Sequence, residues 1–293
     1  MVVTEHLAQD VDENTDIWRY MSYSSFMWTI QTGNLHFRRA DRFTDPYEGT
    51  FPEALLQQMR RGLKQDFENN IDDMMENWKK VSEWQRKITF LNCWHMNPDE
   101  SAAMWEQYSL AGKGIAIRST VGNLTDALSQ YNPSSGDTPG LASVGYVDFE
   151  SDLDEIDRRS HRLMNQIVGM EGGGINAIDL FRLKRQEFQH EAELRAYIQY
   201  NSLAGFGDEL DESKYPFDIS EPDTELNVDG TPESSRVYVG IDLDTLIDQI
   251  LLYPETSTWV ADSIEAALEN LSVLELGSDD VSISDLYSRR SED

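Results

Sequence analysis

Apolar residues recur along this chain with two different periods. Leu55, Met59, Leu63, Phe67, Ile71, Met75, Trp78 and Val81 fall three or four positions apart, a stripe one helix face wide. That pattern predicts a long amphipathic helix from Pro52 to Arg86, in one piece or with a single break, and Pro52 suits its first turn. Such a stripe is core packing. Short apolar runs predict strands at Ile17 to Tyr20, Leu35 to Arg38, Ile88 to Trp94, Ile115 to Arg118 and Val144 to Phe149. Further strands are expected at Glu193 to Tyr200, Val237 to Ile241 and Ile247 to Tyr253.

Helical patterns fill the intervals. Ser24 and Ser25 can cap a helix that carries Phe26, Met27 and Ile30 and stops at Gly33. Asp99 can cap a short helix containing Ala103, Met104, Trp105 and Tyr108; others are expected at Leu153 to Val168, Ile175 to Glu187 and Thr258 to Leu271. Turn formers punctuate the chain at Asp45-Pro46-Tyr47-Glu48-Gly49, Gly112-Lys113-Gly114, Asn132 to Gly140 and Gly172-Gly173-Gly174. Gly205 to Ser235 is acidic and poor in apolar residues, a surface loop, and the tail after Asp279 is mostly polar. Strands and helices interleave without a βαβ rhythm. The expected fold is α+β: a mixed, mainly antiparallel sheet with packed helices and one long amphipathic helix. Residues 1–16 read as an N-terminal extension, 17–287 as a single domain and 288–293 as a polar tail.

Composition changes the picture of the surface. The 293 residues carry 54 acidic against 24 basic side chains, a net charge of -30, with 7 Lys and 17 Arg. Hydrophobic residues at 39% are too many for a disordered acidic chain, so the charge clothes a folded core. Self-repulsion strains a compact fold in dilute salt, whereas in molar salt the Debye length falls to about 3 Å. The surface therefore reads as one adapted to a salt-saturated cytosol. The acids are spread along the whole chain, which argues against a one-faced mimic of nucleic acid. Nucleic-acid binding is disfavoured by the charge, less so at molar salt. Arg38-Arg39 with Arg42 is either a phosphate cluster or a solvated loop.

Cys93 is the single cysteine, so no intramolecular disulfide forms. No apolar run reaches the length of a membrane span and the N-terminus lacks a signal pattern, so a cytoplasmic protein without membrane association is expected. The five histidines, His6, His36, His95, His161 and His190, show no zinc spacing, and no metal site is expected.

Several residues could carry chemistry. Cys93 and His95 would share a strand face about 6 to 7 Å apart, either as a thiol and its base or as core. Gly112-Lys113-Gly114 lacks the flanking residues of a phosphate loop. Glu191 and Glu193 would share a face of one strand with Arg195, while His190 looks the other way. The plain reading is an ion-pair ladder. The sharper one has a carboxylate bind a ribose hydroxyl and stabilise positive charge developing at the sugar carbon. Asp45 and Glu48 flank a rigid Pro and could hold ligand hydroxyls or cap a helix. Met104, Trp105 and Tyr108 share a helix face, as core or as a pocket wall.

In order along the chain, these motifs resemble those of a widespread microbial domain-of-unknown-function family. The set comprises Trp18-Arg19-Tyr20-Met21-Ser22, Gly33-Asn34-Leu35, Thr44-Asp45-Pro46-Tyr47-Glu48, Cys93-Trp94, Met104-Trp105-Glu106-Gln107-Tyr108, Gly112-Lys113-Gly114-Ile115 and Glu191-x-Glu193-x-Arg195. Thr44 stands where that family has Asn. The order is similar to a remote ADP-ribosyltransferase plan, which implies NAD as a substrate. On that likeness Arg19 contacts the NAD phosphates, Tyr20 or Trp94 stacks on nicotinamide, and Glu193 acts on the ribose with Glu191 beside it. Ser22, Trp105, Tyr108, Asp45 and Glu48 complete the expected site. The second strand, Asn92-Cys93-Trp94-His95, departs from the Ser-Thr-Ser of that plan, and no His occupies the first-strand position.

Two readings follow. One is an NAD-using ADP-ribosyltransferase-like enzyme or glycohydrolase, serving in defence against phage or competitors. The other is a non-catalytic module that binds a small nucleotide or a macromolecular partner. The charge generates its own prediction: dialysis from molar to dilute salt should abolish compact structure, and far-UV circular dichroism showing full helicity at low salt would contradict it.

Overall fold

The computed structural model describes residues 2–63, 71–108, 114–131, 138–168, 178–200, 234–271 and 281–287. Its centre is a strongly mixed sheet. In space the strands run β1 (Val3–His6), β6 (Gly140–Ser143), β9 (Glu193–Gln199), β4 (Thr89–Met96), β2 (Asp16–Ser22), β5 (Gly114–Thr120), β11 (Gln249–Leu252) and β12 (Val281–Ile283). Most neighbours are antiparallel, while β1 with β6 and β11 with β12 are parallel. A separate parallel pair joins β7 (Gly145–Val147) to β8 (Leu183–Arg185). The fold is thus α+β, as the alternation predicts.

One irregularity of this sheet makes the site. Along one edge β4 pairs with β9 over seven residues, Thr89 to His95. Its other edge is divided. Near its C-terminal end β4 meets β2 through Ile17 with Met96 and Trp18 with His95. Near its N-terminal end it meets β3 (Asn34–Arg39) through Arg38 with Leu91 and Arg39 with Phe90. Asn92, Cys93 and Trp94 therefore have no strand partner on that edge among the described residues. The sheet forks there, with β2 leaving towards β5 and β3 leaving towards β10 (Arg236–Gly240).

Helix α1 (Tyr23–Thr32) joins β2 to β3, the two prongs of the fork. The cap is Ser22, whose hydroxyl accepts from Ser25 N–H at 3.2 Å, ahead of the expected Ser24 or Ser25. Those serines are left exposed on the first turn. Gly33 ends the helix at φ 62°, as its position predicts.

Both faces of the sheet are covered, so its strands read as nearly continuous apolar runs. Ile17, Met21, Ile115, Ile117, Leu194, Ala196 and Ile198 pack with Phe26 and Ile30 of α1 and with α5 (Val121–Ser129), α7 (Leu243–Leu246) and α8 (Thr258–Leu271). On the reverse face Trp18, Tyr20 and Ala116 pack with Met104 and Trp105 of α4 (Ala102–Tyr108). A second core joins α2 (Glu53–Leu63), α3 (Ile71–Ile88) and α6 (Arg158–Val168) through Leu55, Met59, Met75, Met164 and Ile167.

The expected long amphipathic helix is described in two stretches, α2 and α3, and residues 64–70, with Phe67, lie outside the described residues. Several other expectations are corrected. Ser101, not Asp99, sits at the start of α4, its hydroxyl accepting from Met104 N–H at 3.4 Å. The described part of the expected helix from Ile175 to Glu187 is 3-10 turns around β8, because Leu180, Phe181 and Leu183 must all turn inward within four residues. The expected strand from Val144 to Phe149 is shorter, and α6 begins after Asp157 rather than at Leu153. Val3–His6, read as extension, adds a strand to the sheet, and so does Val281–Ile283 in the mostly polar stretch after Asp279. The turn at 112–113 and most of the expected loops at 132–140, 172–174 and 205–235 lie outside the described residues.

Gly49 closes the Asp45 turn with φ 69°, and a Cβ there would lie 2.3 Å from the Phe181 ring. Gly49→Ala should therefore cost about 1–3 kcal/mol, through forced overpacking and left-handed backbone together. Urea unfolding checks this, and an unchanged midpoint would contradict the packing.

Candidate functional site

A cavity of about 710 Å³ opens in the fork, within the size range of small-molecule sites. Its walls come from both prongs and from β4 between them. β2 supplies Arg19, Tyr20 and Ser22, β4 supplies Asn92, Cys93, Trp94 and His95, and α1 supplies Ser24, Ser25 and Trp28. β3 and β10 add His36, Arg38, Arg236 and Tyr238, α4 adds Gln107 and Tyr108, and the far side holds Glu191 and Glu193. Residues separated by more than two hundred positions thus border one space.

The two ends carry opposite charge. Arg38 faces Arg236 and His36 faces Tyr238 across the β3–β10 ladder. Burial, then the charges of Arg19, Arg236 and Arg38, depress His36 to about 4, so it is neutral at pH 7. Its Nε2 is buried and has no partner among the described residues, and the same holds for Arg19 Nη1. Arg19 lies over the Trp94 ring, its carbon Cζ 5.7 Å from the centroid. Unsatisfied buried donors of this kind are costly and are found where a ligand completes them. Trp28 and Tyr238 stand 4.9 Å apart at the same end, and Tyr238 is 47% exposed.

The acidic end rests on a buried ionic network. Arg195 of β9 is 0% exposed. Its Nη1 and Nη2 donate to the two oxygens of Glu48 at 2.5 and 2.9 Å, its Nε donates to Glu193 Oε1 at 2.9 Å, and Phe181 carbonyl takes a further bond at 2.5 Å. Lys184 of β8 donates to Glu193 Oε2 at 2.9 Å and also to Glu191. Burial by itself would raise Glu193, but the charges of Arg195 and Lys184 and their hydrogen bonds hold it at about 2. Glu191 Oε1 accepts from Gln107 at 3.2 Å on the cavity side. Burial pushes Glu48 above the ordinary carboxylate value, and its two-pronged contact with Arg195 opposes that. Glu191 and Glu193 face the cavity, held by Lys184 and Arg195.

The expected residues divide cleanly. Arg19, Tyr20, Ser22, Trp94, Tyr108, Glu191 and Glu193 are brought together around the cavity. Trp105, Asp45 and Glu48 do not line it. Trp105 is core, its indole N–H donating to Glu100 at 2.8 Å. Asp45 pairs with Arg185 and Glu48 with Arg195, so the turn holds protein cations rather than ligand hydroxyls or a helix cap. Glu191 and Glu193 do not alternate along one strand. Glu191 ends a 3-10 turn, and Ala192 at φ 37° swings the chain into β9, so that both carboxylates reach Lys184. Glu193 and Arg195 do pair along the strand, as their spacing predicts.

The aromatics are also reassigned. Tyr20 accepts from Ser101 N–H at 2.8 Å and is edge-packed on Trp105, and Trp94 is covered by Arg19. Trp28, Tyr238 and Tyr108, the last 40% exposed, offer the freer ring surface. Although its ring is exposed, desolvation at the hydroxyl end and the charges of Cys93, Glu191 and Glu193 push the Tyr108 hydroxyl up to about 12. Burial, followed by the charge of the Glu193 carboxylate, pushes the Cys93 thiol well above its ordinary value. It is no poised nucleophile. Of the arginine cluster only Arg38 faces the cavity; Arg39 and Arg42 pair with Asp41. Trp28, His36, Arg236 and Tyr238 escaped the sequence reading. Trp28 lies one turn beyond Ser24 and could have been found by helical spacing, but Arg236 and Tyr238 arrive only through the β3–β10 pairing. Among the described residues no group of three or more His, Cys, Asp or Glu side chains is arranged to hold a metal, and no helix is long and apolar enough to cross a membrane.

Truncating Arg195 would leave Glu48 and Glu193 unpaired in the interior. Arg195→Met should cost about 3–5 kcal/mol in urea unfolding. Because Glu193 is depressed, its contribution is complete above its ordinary value of about 4.3 and is lost as pH falls towards 2. Unfolding measured from pH 6 to pH 2 should show that acid loss, and Arg195→Met should flatten it.

Comparison with known proteins returns no match: no family model, curated protein or solved structure aligns significantly with this chain.

Proposed function

We propose that the chain is an NAD-using enzyme, an ADP-ribosyltransferase-like transferase or glycohydrolase, acting in the cavity of the forked sheet. The observation that carries this reading is the meeting of Arg19, with its unpaired Nη1, and the carboxylates Glu191 and Glu193 around one space. A dinucleotide is itself two-ended. Its pyrophosphate suits the end with Arg19, Arg38 and Arg236, and the exposed hydroxyls of Ser24 and Ser25 lie beside it. Its planar rings suit Trp28, Tyr238 and Tyr108.

At the acidic end the chemistry would be cleavage of the bond between ribose and nicotinamide. As that bond lengthens, positive charge grows on the sugar ring, and a fixed anion nearby stabilises it. The Glu191 and Glu193 carboxylates, fixed by Lys184 and Arg195, supply one without having to reorganise. A cytoplasmic, molar-salt setting and a role in defence belong to the same proposal; in such salt the cavity's own charges, being partly buried, are screened less than the surface.

A second reading has one observation in its favour. Glu193 is engaged by Arg195 and Lys184 at once, which suits a fixed wall of a binding module. Nicotinamide release from NAD in molar salt separates the two. The enzyme reading expects release by the wild type and a loss of about 10²-fold or more in Glu193→Gln. Calorimetric binding of NAD without release by either protein would favour the module.

A further inference from the structure

We propose that His95 is the general base of this site, its Nε2 taking the proton from the water that attacks the sugar carbon. The inference rests on the NAD reading and adds a residue that reading does not need. His95 is 3% exposed, yet lines the cavity. Its Nδ1 lies 2.6 Å from the Glu191 carbonyl oxygen. A carbonyl only accepts, so Nδ1 carries the proton and donates. In the neutral ring Nε2 then holds the lone pair, and it is buried without a partner among the described residues. A bare imidazole nitrogen fixed in tautomer by its other nitrogen is the arrangement general-base catalysis uses.

The surroundings keep the ring neutral. Burial depresses His95 below the ordinary histidine value, His190 adds to that, and the Glu191 carbonyl and carboxylate oppose it. The other titratable groups packed around it are Tyr20 on β2, 6.1 Å away edge to face, Glu193 opposite it on β9 and Cys93 on its own strand. Glu191 thus does two things: its main chain orients the base and its side chain forms part of the anionic wall.

The step balances without a further reactant. The bond between the ribose carbon and the nicotinamide nitrogen breaks, and its electron pair returns to the pyridine ring, leaving neutral nicotinamide. The water oxygen bonds to the same carbon and loses one proton to His95 Nε2. Solvent then takes that proton, so NAD and water give ADP-ribose, nicotinamide and a proton.

The test is nicotinamide release from NAD across pH, for wild type and His95→Asn, whose amide can still donate to the Glu191 carbonyl. Wild type should lose activity on the acid side, below a histidine's ordinary value of about 6.5. His95→Asn should fall about 10²-fold or more in kcat, lose that acid limb and keep KM within about threefold. Turnover by the wild type with an unchanged rate and pH profile in His95→Asn would overturn the base and leave the NAD reading standing. No release by the wild type would remove both. Should His95→Asn fail to fold by circular dichroism, long-range ¹H–¹⁵N NMR of the wild type decides. An unprotonated Nε2 at neutral pH, titrating with the kinetic limb, is expected; a protonated Nε2, or a titration that does not match the limb, overturns the base.

Discussion

A guanidinium with no exposure to water dictates much of this structure. Arg195 cannot shed its charge and cannot be left unpaired in the interior, where an isolated ion is very costly. Four bonds to Glu48 and Glu193 and one to the Phe181 carbonyl answer that demand. The Asp45–Gly49 turn must therefore reach the back of β9, and Gly49 takes a left-handed conformation against Phe181 to let it do so. Lys184, brought in by the small β7–β8 pair, completes the arrangement. Replacing such a network by apolar residues could be neutral for stability. What an apolar replacement would not supply is a rigid negative wall beside a cavity.

That wall gains its meaning from the fork. A continuous sheet would have closed the edge of β4 at Asn92 to Trp94, whereas the divergence of β2 and β3 leaves it open to a space bordered by cations on one side and anions on the other. In a chain with 54 acidic residues, gathering Arg19, Arg38 and Arg236 at one end of one cavity makes a local field opposite to that of the whole molecule. Such a site attracts the anionic part of a ligand at close range while the surface repels it at long range, a repulsion that salt weakens.

Local signals carried the sequence reading well where structure is local. The 3.6-residue stripes of α3 and α8, the left-handed stop at Gly33 and the pairing of Glu193 with Arg195 all depend on neighbours a few positions apart. The motifs around Arg19, Trp94, Tyr108 and Glu193 point to residues that line one cavity because each crowds charge or aromatic surface into a short stretch. What failed depended on distance. Asp45 and Glu48 look like ligand groups until Arg185 and Arg195 arrive from about 140 residues away. Trp105 cannot be told from a pocket wall until β2 lies under it. The role of His95 turns on a carbonyl 96 residues later. Glu191 and Glu193 looked like strand neighbours because one left-handed residue, Ala192, has no sequence signature.

The central claim is that the forked sheet holds a dinucleotide with its phosphates at Arg19 and its ribose between the carboxylates and His95. Diffraction from crystals grown in molar salt with carba-NAD, which cannot be cleaved at the ribose, tests it most directly. Density in the fork is expected, with pyrophosphate oxygens within hydrogen-bond reach of Arg19 Nη1 and the nicotinamide riboside at Glu191 and Glu193. Density at another surface, or an empty fork with Arg19 turned away to a protein partner, would contradict it.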